Sequence, residues 1–524
     1  MLRIRFFSIV VLASLLTVSC HKDLDRFPTN DFTAADAYKT EAGYKQVLAK
    51  VYGSIALTSG DLAGIIDDGT SDYMRLFWKA QELSTDEAVI AWNDPGIQDF
   101  HNMNWGSTNS MLTGLYARCF YIIAVSNEFI RESDPAKVSG RGLSGAAATI
   151  KVMRAEARFV RAYAYWTLMD LYGNPGFVDE NLELGAANRP QQIKRADLYT
   201  YIRSELLAIE ADLPNARAAE YGRADKAAAW ALMARIALNA RVYTGTAQFT
   251  EAATYAKKVI DAGYALIPNY GHLALADNNT NNTEAIWTLN YDGLYTKNFG
   301  GTTFLVNASV GSNAKHRDTT GLAAWFGLRT TKNLPMLFPG YPSFTTITDR
   351  RAQFWTEGQT LEIANISEYT NGYGVVKFRN RTKANGYGQD PSRTYSDIDF
   401  PVFRLAEMYL IYAEAASRGA SGADNATALG YINLLRARAY GGNSGNVSSI
   451  STDFILDERG RELYWEGHRR TDLIRFERFT ENTYLWPWKG GVALGTGVSA
   501  NRKLYPLPSS EIGANPNLVQ NPGY

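Results

Sequence analysis

The sequence predicts a mostly α-helical fold, in which a tetratricopeptide-like helical-repeat scaffold carries long loop-rich excursions with short β-strands. The first observation is a three- and four-residue spacing of apolar side chains that continues to about residue 265. The second is a repeated hairpin pattern, in which a helix rich in small residues is followed by a turn and a second helix. The third is a change in composition between about 266 and 399, where Gly, Asn, Thr and Tyr become frequent.

The amino-terminal residues are typical of a secretory signal rather than of a folded element. Two arginines precede an apolar stretch that is too short to cross a bilayer as a helix. The stretch ends at Cys20, and the polar residues HKDLD follow. We therefore predict a signal peptide over 1–19, and a lipidated Cys20 with a polar tether over 20–33. The alternative is an ordinary cleaved signal with an incidental cysteine.

Helical spacing defines the scaffold, which we place at about 34–265 and 400–480 within one domain over 34–524. The clearest hairpin is 223–262, where an Ala-rich helix allows close approach of a second helix with aromatic and alanine side chains on one face. The stretch 404–440 repeats this pattern. Hairpins of this kind cannot bury their apolar faces alone and must stack. The segments with helical spacing up to the composition change are 34–58, 109–132, 148–172, 195–213, 223–243 and 248–262.

Two loop-rich excursions interrupt the scaffold, at about 60–108 and 266–399, and a third loop region covers 480–524. The second excursion contains short strand-like runs, AIWTLNY and YGVVKF, between turns. Long ordered loops on a rigid scaffold are where binding residues concentrate. The sequence therefore predicts a ligand face built from these excursions.

Composition and motifs exclude several functions. The chain has 53 basic and 53 acidic residues, so it lacks the positive charge of a nucleic-acid binder. Its five histidines and two cysteines form no metal-ligand spacing, and no nucleophile elbow, phosphate-binding loop or dinucleotide fingerprint occurs. We predict no metal and no cofactor. DNNTNNTE (277–284) is oxygen-rich but lacks the Gly and Glu of a calcium loop, which leaves a calcium site and a solvated turn as alternatives.

Charged residues cluster within otherwise apolar helical segments. Around residues 156–161 and 458–469 their spacing of three and four is typical of ion pairs within and between helices. We interpret these charges as part of the scaffold. Adjacent carboxylates such as Asp86 and Glu87 raise the alternative of a glycosidase, which needs two facing carboxyl groups.

Six ordered stretches resemble the SusD/RagB family of Bacteroidetes outer-surface glycan-binding lipoproteins. The resemblance covers essentially the whole mature chain and includes its NPGY ending. It implies about four stacked helix pairs that support a loop-rich ligand face. The stretches begin RAEARFVRAYAYW (154), GRADKAAAW (222), FPVFRLAEMY (400), INLLRARA (432), LDERGRELYWEGHRR (456) and YPLPSSEIGANPN (505).

The resemblance also implies a function and a set of ligand-binding residues. Around 73–92, 296–306 and 484–499 the chain is similar to a starch-binding member of the family, in which two Trp and a Tyr form an arc. The implied function is non-catalytic binding of starch-like oligosaccharides and their delivery to a SusC-like TonB-dependent transporter at the outer membrane. The implied ligand-binding residues are Trp92, Arg75, Phe299 where the family has Tyr, Trp325, and Asn93 or Asp94.

Physical chemistry agrees with this assignment, because an exposed indole covers the C–H face of a pyranose while polar side chains bind its hydroxyl groups. Each aromatic contact adds about 0.5–1.5 kcal/mol beyond its buried area, and each hydrogen bond about 1 kcal/mol. A few of each give dissociation constants from about millimolar to about ten micromolar. The alternatives are a different glycan (pectic, mannan or host), a structural lid for the transporter, and a Trp92 that packs as core.

Overall fold

The protein was analysed as a computed structural model, which describes residues 34–58, 65–182, 188–341, 343 and 346–524. The predicted signal peptide, Cys20 and the tether lie outside the described residues. Among the residues that are described, no helix is both long enough and apolar enough to span a membrane.

Helices dominate the described structure, and short strands occur mainly in the excursions. The helices are α1 (Ala34–Ala37), α2 (Glu41–Ala56), α3 (Tyr73–Glu82), α4 (Asp99–Asn102), α5 (Ser110–Glu132), α6 (Pro135–Gly140), α7 (Ala147–Leu171), α8 (Arg195–Ile209), α9 (Lys226–Leu238), α10 (Ala240–Thr244), α11 (Phe249–Ile260), α12 (Gly301–Ala308), α13 (Ala314–Thr320), α14 (Asn333–Met336), α15 (Leu405–Ser417), α16 (Asn425–Tyr440), α17 (Thr452–Leu463), α18 (Arg469–Arg475) and α19 (Ser509–Ala514). The strands are β1 (Val89–Ile90), β2 (Gly176–Phe177), β3 (Gln191–Gln192), β4 (Ala285–Leu289), β5 (Leu328–Arg329), β6 (Phe354–Trp355), β7 (Gly374–Val375) and β8 (Phe400–Arg404).

The long helices pack in chain order as successive pairs, α2 with α5, α7 with α8, α9 with α11, and α15 with α16. Helices α11 and α15 also pack together, so the second excursion leaves the stack after α11 and returns to it at α15. One extended hydrophobic cluster runs through these helices. The prediction of a mostly helical, tetratricopeptide-like fold with short strands is confirmed.

Local side-chain chemistry explains where individual helices begin and end. The Asn109 side chain accepts hydrogen bonds from the backbone N–H groups of Met111 and Leu112 at 3.1 Å, which starts α5. The pattern predicts one helix over 223–243, but the structure breaks it at Asn239. There the Asn239 amide donates to the Arg235 carbonyl at 2.9 Å, and this side-chain bond competes with the backbone ladder.

Each strand belongs to a two-stranded antiparallel sheet in the described ranges, namely β1–β5, β2–β3, β4–β8 and β6–β7. The predicted run AIWTLNY contains β4, which pairs with β8 directly before α15. This pair fastens the second excursion to the scaffold. The β1–β5 pair instead joins the first excursion to the second.

A buried set of charged side chains lies where α15, α16 and α17 meet the second excursion. We call it the charge network, and define it as Glu284, Arg351, Lys377, Arg404, Arg438, Glu458, Glu462 and Glu466. Arg404 binds Glu462 at 2.6 Å, Glu466 at 2.7 Å and Glu284 at 2.8 Å. All eight members are at most 7% exposed. The short distances show that the predicted scaffold ion pairs are present.

The second predicted group of ion pairs also connects elements rather than facing solvent. Arg158 and Arg161 on α7 both bind Glu205 on α8 at 2.7 Å. Glu156 on α7 binds Arg223, which precedes α9. The charges of α7 therefore fix its two neighbours in the stack.

Candidate functional site

Trp92 is placed by the β1–β5 pair. Val89 pairs with Arg329 and Ile90 with Leu328, and the Ala91 N–H donates to the Gly327 carbonyl at 2.9 Å. This register brings Trp92 against the segment that contains Trp325. A side chain at Gly327 would place its Cβ 2.7 Å from the Trp92 ring, so the glycine is required for the close approach.

Four rings from four separate chain segments form a continuous series, which we call the aromatic arc and define as Trp92, Trp325, Phe299 and Tyr395. Ring centroids are 6.3 Å apart for Trp92 and Trp325, 6.0 Å for Trp325 and Phe299, and 5.5 Å for Phe299 and Tyr395. Phe299 is 43% exposed, and the other three rings are half-buried. The structure thus brings together the three rings that the resemblance implies.

Two contacts orient the indole of Trp92. Its Nε1–H donates to the Trp325 carbonyl at 2.9 Å, and its ring packs on Phe304 at 6.0 Å. The hydrogen bond satisfies the one polar atom of the indole without covering the whole ring. Trp92 is therefore neither a core residue nor a free side chain, but a ring oriented by its contacts.

Arg75 supports the arc from α3. It is only 7% exposed, and its Nη1 donates to the Gly69 carbonyl at 2.9 Å and to the Phe299 carbonyl at 2.8 Å. Its guanidinium also lies over Phe304, 4.7 Å from the ring centroid. Burial lowers the pKa of Arg75 to about 10, against the opposing effect of nearby carboxylates. The group remains a cation at neutral pH and positions the arc more than it faces solvent.

A second buried cation lies beside Arg75. The Lys79 ammonium is 3.7 Å from the Met111 sulfur and 5.5 Å from the Phe304 centroid. It forms no ion pair with any described carboxylate. Burial, together with repulsion from Arg75, lowers the pKa of Lys79 well below its ordinary value. Phe304 thus contacts both cations under the arc.

Asn93 and Asp94 follow Trp92 and lie at the surface next to the arc. Both are exposed, and neither side chain forms a hydrogen bond or ion pair within the described residues. They are therefore available to hydroxyl groups of a ligand bound on Trp92. Exposure and hydrogen bonding therefore do not distinguish Asn93 from Asp94 as the polar ligand-binding residue that the resemblance implies.

Two exposed or half-exposed rings were not identified from the sequence. Tyr395 completes the arc, although it lies 96 residues after Phe299 and in a segment with no ligand motif. Phe326 is 44% exposed and has a φ of 55°, which is a rare conformation for a bulky side chain. Backbone strain of this kind concentrates at functional sites. For Phe326 the available signal in the sequence was a pair of aromatic residues flanked by Ala and Gly within an excursion.

The adjacent carboxylates proposed as a hydrolytic pair are buried away from the arc. Asp86 accepts hydrogen bonds from Arg469 at 2.7 Å, and Glu87 accepts one from the Trp465 N–H at 3.0 Å. Burial raises the pKa of Glu87 to about 7. Both carboxylates are buried and hydrogen-bonded to scaffold residues, so neither is exposed to a ligand. No group of three or more His, Cys, Asp or Glu side chains in the described ranges is arranged to hold a metal ion.

Comparisons with known proteins agree with this architecture. A sequence model described as "SusD family" matches residues 331–524, and one described as "Starch-binding associating with outer membrane" matches residues 33–238. The chain is 35% identical to the starch-binding protein SusD of Bacteroides thetaiotaomicron, over 98% of this chain and 97% of that protein.

Solved structures show the same fold at lower sequence identity. A SusD homologue from Bacteroides thetaiotaomicron has a TM-score of 0.73 at 18% identity, with 94% of this chain and 99% of that chain covered. Surface glycan-binding protein A from Bacteroides fluxus has a TM-score of 0.71 at 20% identity, with 93% and 100% covered. At these identities the likeness concerns the fold alone.

Proposed function

This chain belongs to the SusD family, and on that premise we propose that it binds starch-like α-glucan oligosaccharides on its aromatic arc at the cell surface. The observation that supports this proposal is the unbroken series of four rings at centroid separations of 5.5–6.3 Å, with unpaired polar side chains beside it. Neighbouring ring planes are inclined to each other by 44°, 64° and 33° along the series, so the rings do not form one flat platform, which favours a curved α-linked glucan over a flat β-linked one.

Each member of the site has a physical role in this proposal. Trp92, Trp325, Phe299 and Tyr395 cover the C–H faces of successive sugar rings. Asn93 and Asp94 bind hydroxyl groups, because their side chains are exposed and form no hydrogen bond within the described residues. Arg75 orients the platform through the Phe299 carbonyl and adds a cation near Trp92, 5.9 Å from its ring centroid.

The expected affinity is modest. Aromatic contacts of about 0.5–1.5 kcal/mol each and a few hydrogen bonds of about 1 kcal/mol each correspond to millimolar to ten-micromolar binding. Weak binding with fast release is suited to a protein that passes its ligand onward. The proposed recipient is a SusC-like TonB-dependent transporter, and the proposed location is the outer membrane, through a lipid on Cys20.

The proposed role is binding without catalysis. The family is one of glycan-binding proteins, and the adjacent carboxylates Asp86 and Glu87 are committed to Arg469 and Trp465. A hydrolase would need two carboxyl groups that face the substrate at a set separation. Release of reducing ends by the purified protein would contradict this part of the proposal.

The test is calorimetric titration of the soluble domain, beginning after Cys20, with maltoheptaose, and with a β-glucan oligomer as control. We expect saturable binding of maltoheptaose alone, reduced about thirtyfold in Trp92→Ala, since loss of a main stacking ring costs roughly 2 kcal/mol. Tyr295→Ala is the matched control, because Tyr295 is 85% exposed and contacts no arc ring.

Two outcomes would contradict the proposal. Binding of the β-glucan in place of maltoheptaose would assign the arc to another glycan. Equal losses in Trp92→Ala and Tyr295→Ala would show that the arc does not bind the ligand.

A further inference from the structure

A second concave site lies outside the aromatic arc. A cavity of about 500 Å³ is lined by residues 269–275, by the end of α13, and by residues 379–385. We call it the basic pocket, and define it by His272, Asp318, Gln353, Arg379, Arg381 and Lys383. Its volume is within the range of small-ligand sites, and its lining is mostly polar.

The charges of the basic pocket do not balance. Arg379, Arg381 and Lys383 face one carboxylate in the lining, Asp318, which lies 3.5 Å from Arg381 Nη1. Arg379 forms no ion pair among the described residues. Its Nη2 donates to the Gly271 carbonyl at 2.6 Å instead. The cavity is therefore locally positive, although the whole chain has a net charge of zero.

The Asp277 carboxylate, just outside the lining, offsets part of this charge, and three cationic side chains then stand against two carboxylates. The Lys383 ammonium contacts backbone carbonyls, at 3.0 Å from that of Thr280, and its backbone N–H donates to the Asp277 carboxylate, which is outside the lining. Burial lowers the pKa of His272, and the charges of Lys383 and Arg379 lower it further, so the imidazole adds no charge at neutral pH.

The polar side chains of the pocket also retain hydrogen-bonding capacity. Arg379 Nε and Gln353 Oε1 are buried and have no hydrogen-bond partner, and buried Arg381 Nη1 has only its 3.5 Å ion pair with Asp318. By contrast, the guanidinium of Arg404 in the charge network binds three carboxylates. Guanidinium groups without a full set of acceptors bind carboxylate and sulfate groups well, because their N–H geometry matches two oxygens.

We propose that the basic pocket binds a carboxylate or sulfate group carried by a saccharide. The saccharide part rests on the proposed function, whereas the anionic part rests on the charges of the pocket. The amides of Asn269, Gln353 and Asn385 provide donors and acceptors for sugar hydroxyls around the anionic group. The pocket would extend the protein's ligands from neutral glucans to glycans with acidic substituents.

The pocket is connected to the arc through one loop. Tyr387 donates its hydroxyl hydrogen to Asp318 and lies between two guanidinium groups, those of Arg381 at 4.1 Å and Arg393 at 3.7 Å. Arg393 precedes Tyr395 of the arc by two residues. Tyr387 therefore links the lining of the pocket to the loop that carries the last ring of the arc.

The test is titration of the soluble domain with four probes: trigalacturonate, a sulfated disaccharide, inorganic sulfate and maltoheptaose. We expect binding of at least one acidic saccharide, weakened roughly tenfold in Arg379→Gln and in Arg381→Gln through loss of a charge-assisted contact. Asp318→Asn should strengthen binding, because it removes the opposing charge. Arg317→Gln is the matched control, since Arg317 is exposed on α13 and outside the lining.

Thermal unfolding of each variant identifies any variant that fails to fold. If Arg379→Gln fails to fold, Asp318→Asn and Arg381→Gln still test the proposal. No binding of either acidic saccharide would overturn the proposal, as would binding of inorganic sulfate alone or equal losses in Arg317→Gln. Loss of maltoheptaose binding in Trp92→Ala with unchanged binding of the acidic saccharide would support two separate sites. Arginine-dependent binding of the acidic saccharide without any binding of maltoheptaose would overturn the α-glucan function and leave the pocket proposal intact.

Discussion

The charge network and the aromatic arc both depart from the usual distribution of side chains. The network buries charged groups, whereas the arc exposes aromatic rings. The network buries eight ionisable groups that are at most 7% exposed, whereas the arc leaves Phe299 43% exposed and three more rings half-buried. Burying charge is tolerated only when each group is paired, and exposing rings is tolerated when they serve a ligand. The difference teaches that paired buried charges mark the structural region, and exposed rings without such pairing mark the proposed binding region.

The largest effect is expected in the charge network. Glu462→Gln removes a buried carboxylate that binds Arg404 at 2.6 Å and Arg438, and leaves both cations underpaired. We expect a loss of about 3–5 kcal/mol in the free energy of unfolding. Denaturant unfolding measures it, and Glu477→Gln is the control, because its pair with Arg241 is exposed and contributes about 0–1 kcal/mol.

The comparison would fail if Glu462→Gln weakened glucan binding while leaving stability unchanged. In that case the network would belong to the binding region. Folded Glu462→Gln protein is expected to bind maltoheptaose as the wild type does.

The next largest effect is expected at the contact between the Trp92 ring and Gly327. Gly327→Ala places a methyl group 2.7 Å from the Trp92 ring, so the indole must move. Overpacking of this kind costs about 1–3 kcal/mol, and we expect weaker maltoheptaose binding as well. Thermal unfolding and calorimetry measure the two effects, with Gly106→Ala as control, because a methyl group there meets no atom within 4 Å.

A result in which Gly327→Ala loses stability but keeps full glucan affinity would contradict this prediction. It would show that the orientation of Trp92 does not determine binding.

A smaller effect is expected when pH changes, because two buried carboxyl groups, those of Glu87 and Glu458, have pKa values shifted in opposite directions. Burial raises the pKa of Glu87 from 4.5 to about 7, so the folded protein binds more protons than the unfolded chain between those values. The contribution of Glu87 to stability should therefore fall as pH rises from 4.5 to 7, by on the order of 1 kcal/mol per pH unit. The difference in melting temperature between the wild type and Glu87→Gln, followed against pH, isolates this contribution from other buried groups that titrate in the same window, such as Asp399 and His101.

The opposite sign holds below that window. Burial would raise the pKa of Glu458, but the charges of Arg351, Arg461 and Arg436 lower it to about 2. Its contribution is present above 4.5 and is lost as pH falls towards 2. A Glu87→Gln variant with the wild-type slope between pH 4.5 and 7 would rule out the assignment to Glu87.

The smallest effect is expected at Phe299, where the family resemblance implies Tyr. Phe299→Tyr keeps the ring and adds a hydroxyl at a partly exposed position, so we expect about a twofold gain in maltoheptaose affinity from about 0.5 kcal/mol. Calorimetry measures it against Phe299→Ala, which should lose affinity. A larger loss in Phe299→Tyr than in Phe299→Ala would argue against Phe299 as a stacking platform.

The sequence predicts the scaffold well and the site in part. Periodicity identifies helices with one apolar face, such as α11 with Ala252, Tyr255 and Val259 buried. Helix α3 lies in a stretch predicted as loop-rich, and all ten of its residues are buried, including Arg75 and Lys79, so it has no solvent-exposed face.

The arc shows the same limit. Trp92, Phe299 and Trp325 follow from the family resemblance, and the structure brings them together. Tyr395 and Phe326 do not follow, since their positions depend on tertiary contacts between segments far apart in sequence. The implied role of Arg75 as a ligand contact remains a prediction, and its main observed contacts are with backbone carbonyls under the arc.

The separate anchoring of the excursions has a consequence for how this protein can diverge. The rings of the arc are carried by segments that meet through the two-residue β1–β5 pair and side-chain contacts, and none of the rings is bonded to the charge network. Substitutions in contact-free regions combine nearly additively. Under the proposed function, a lineage can therefore exchange ring types and loop lengths, and so change its ligand, while its helical stack is inherited unchanged.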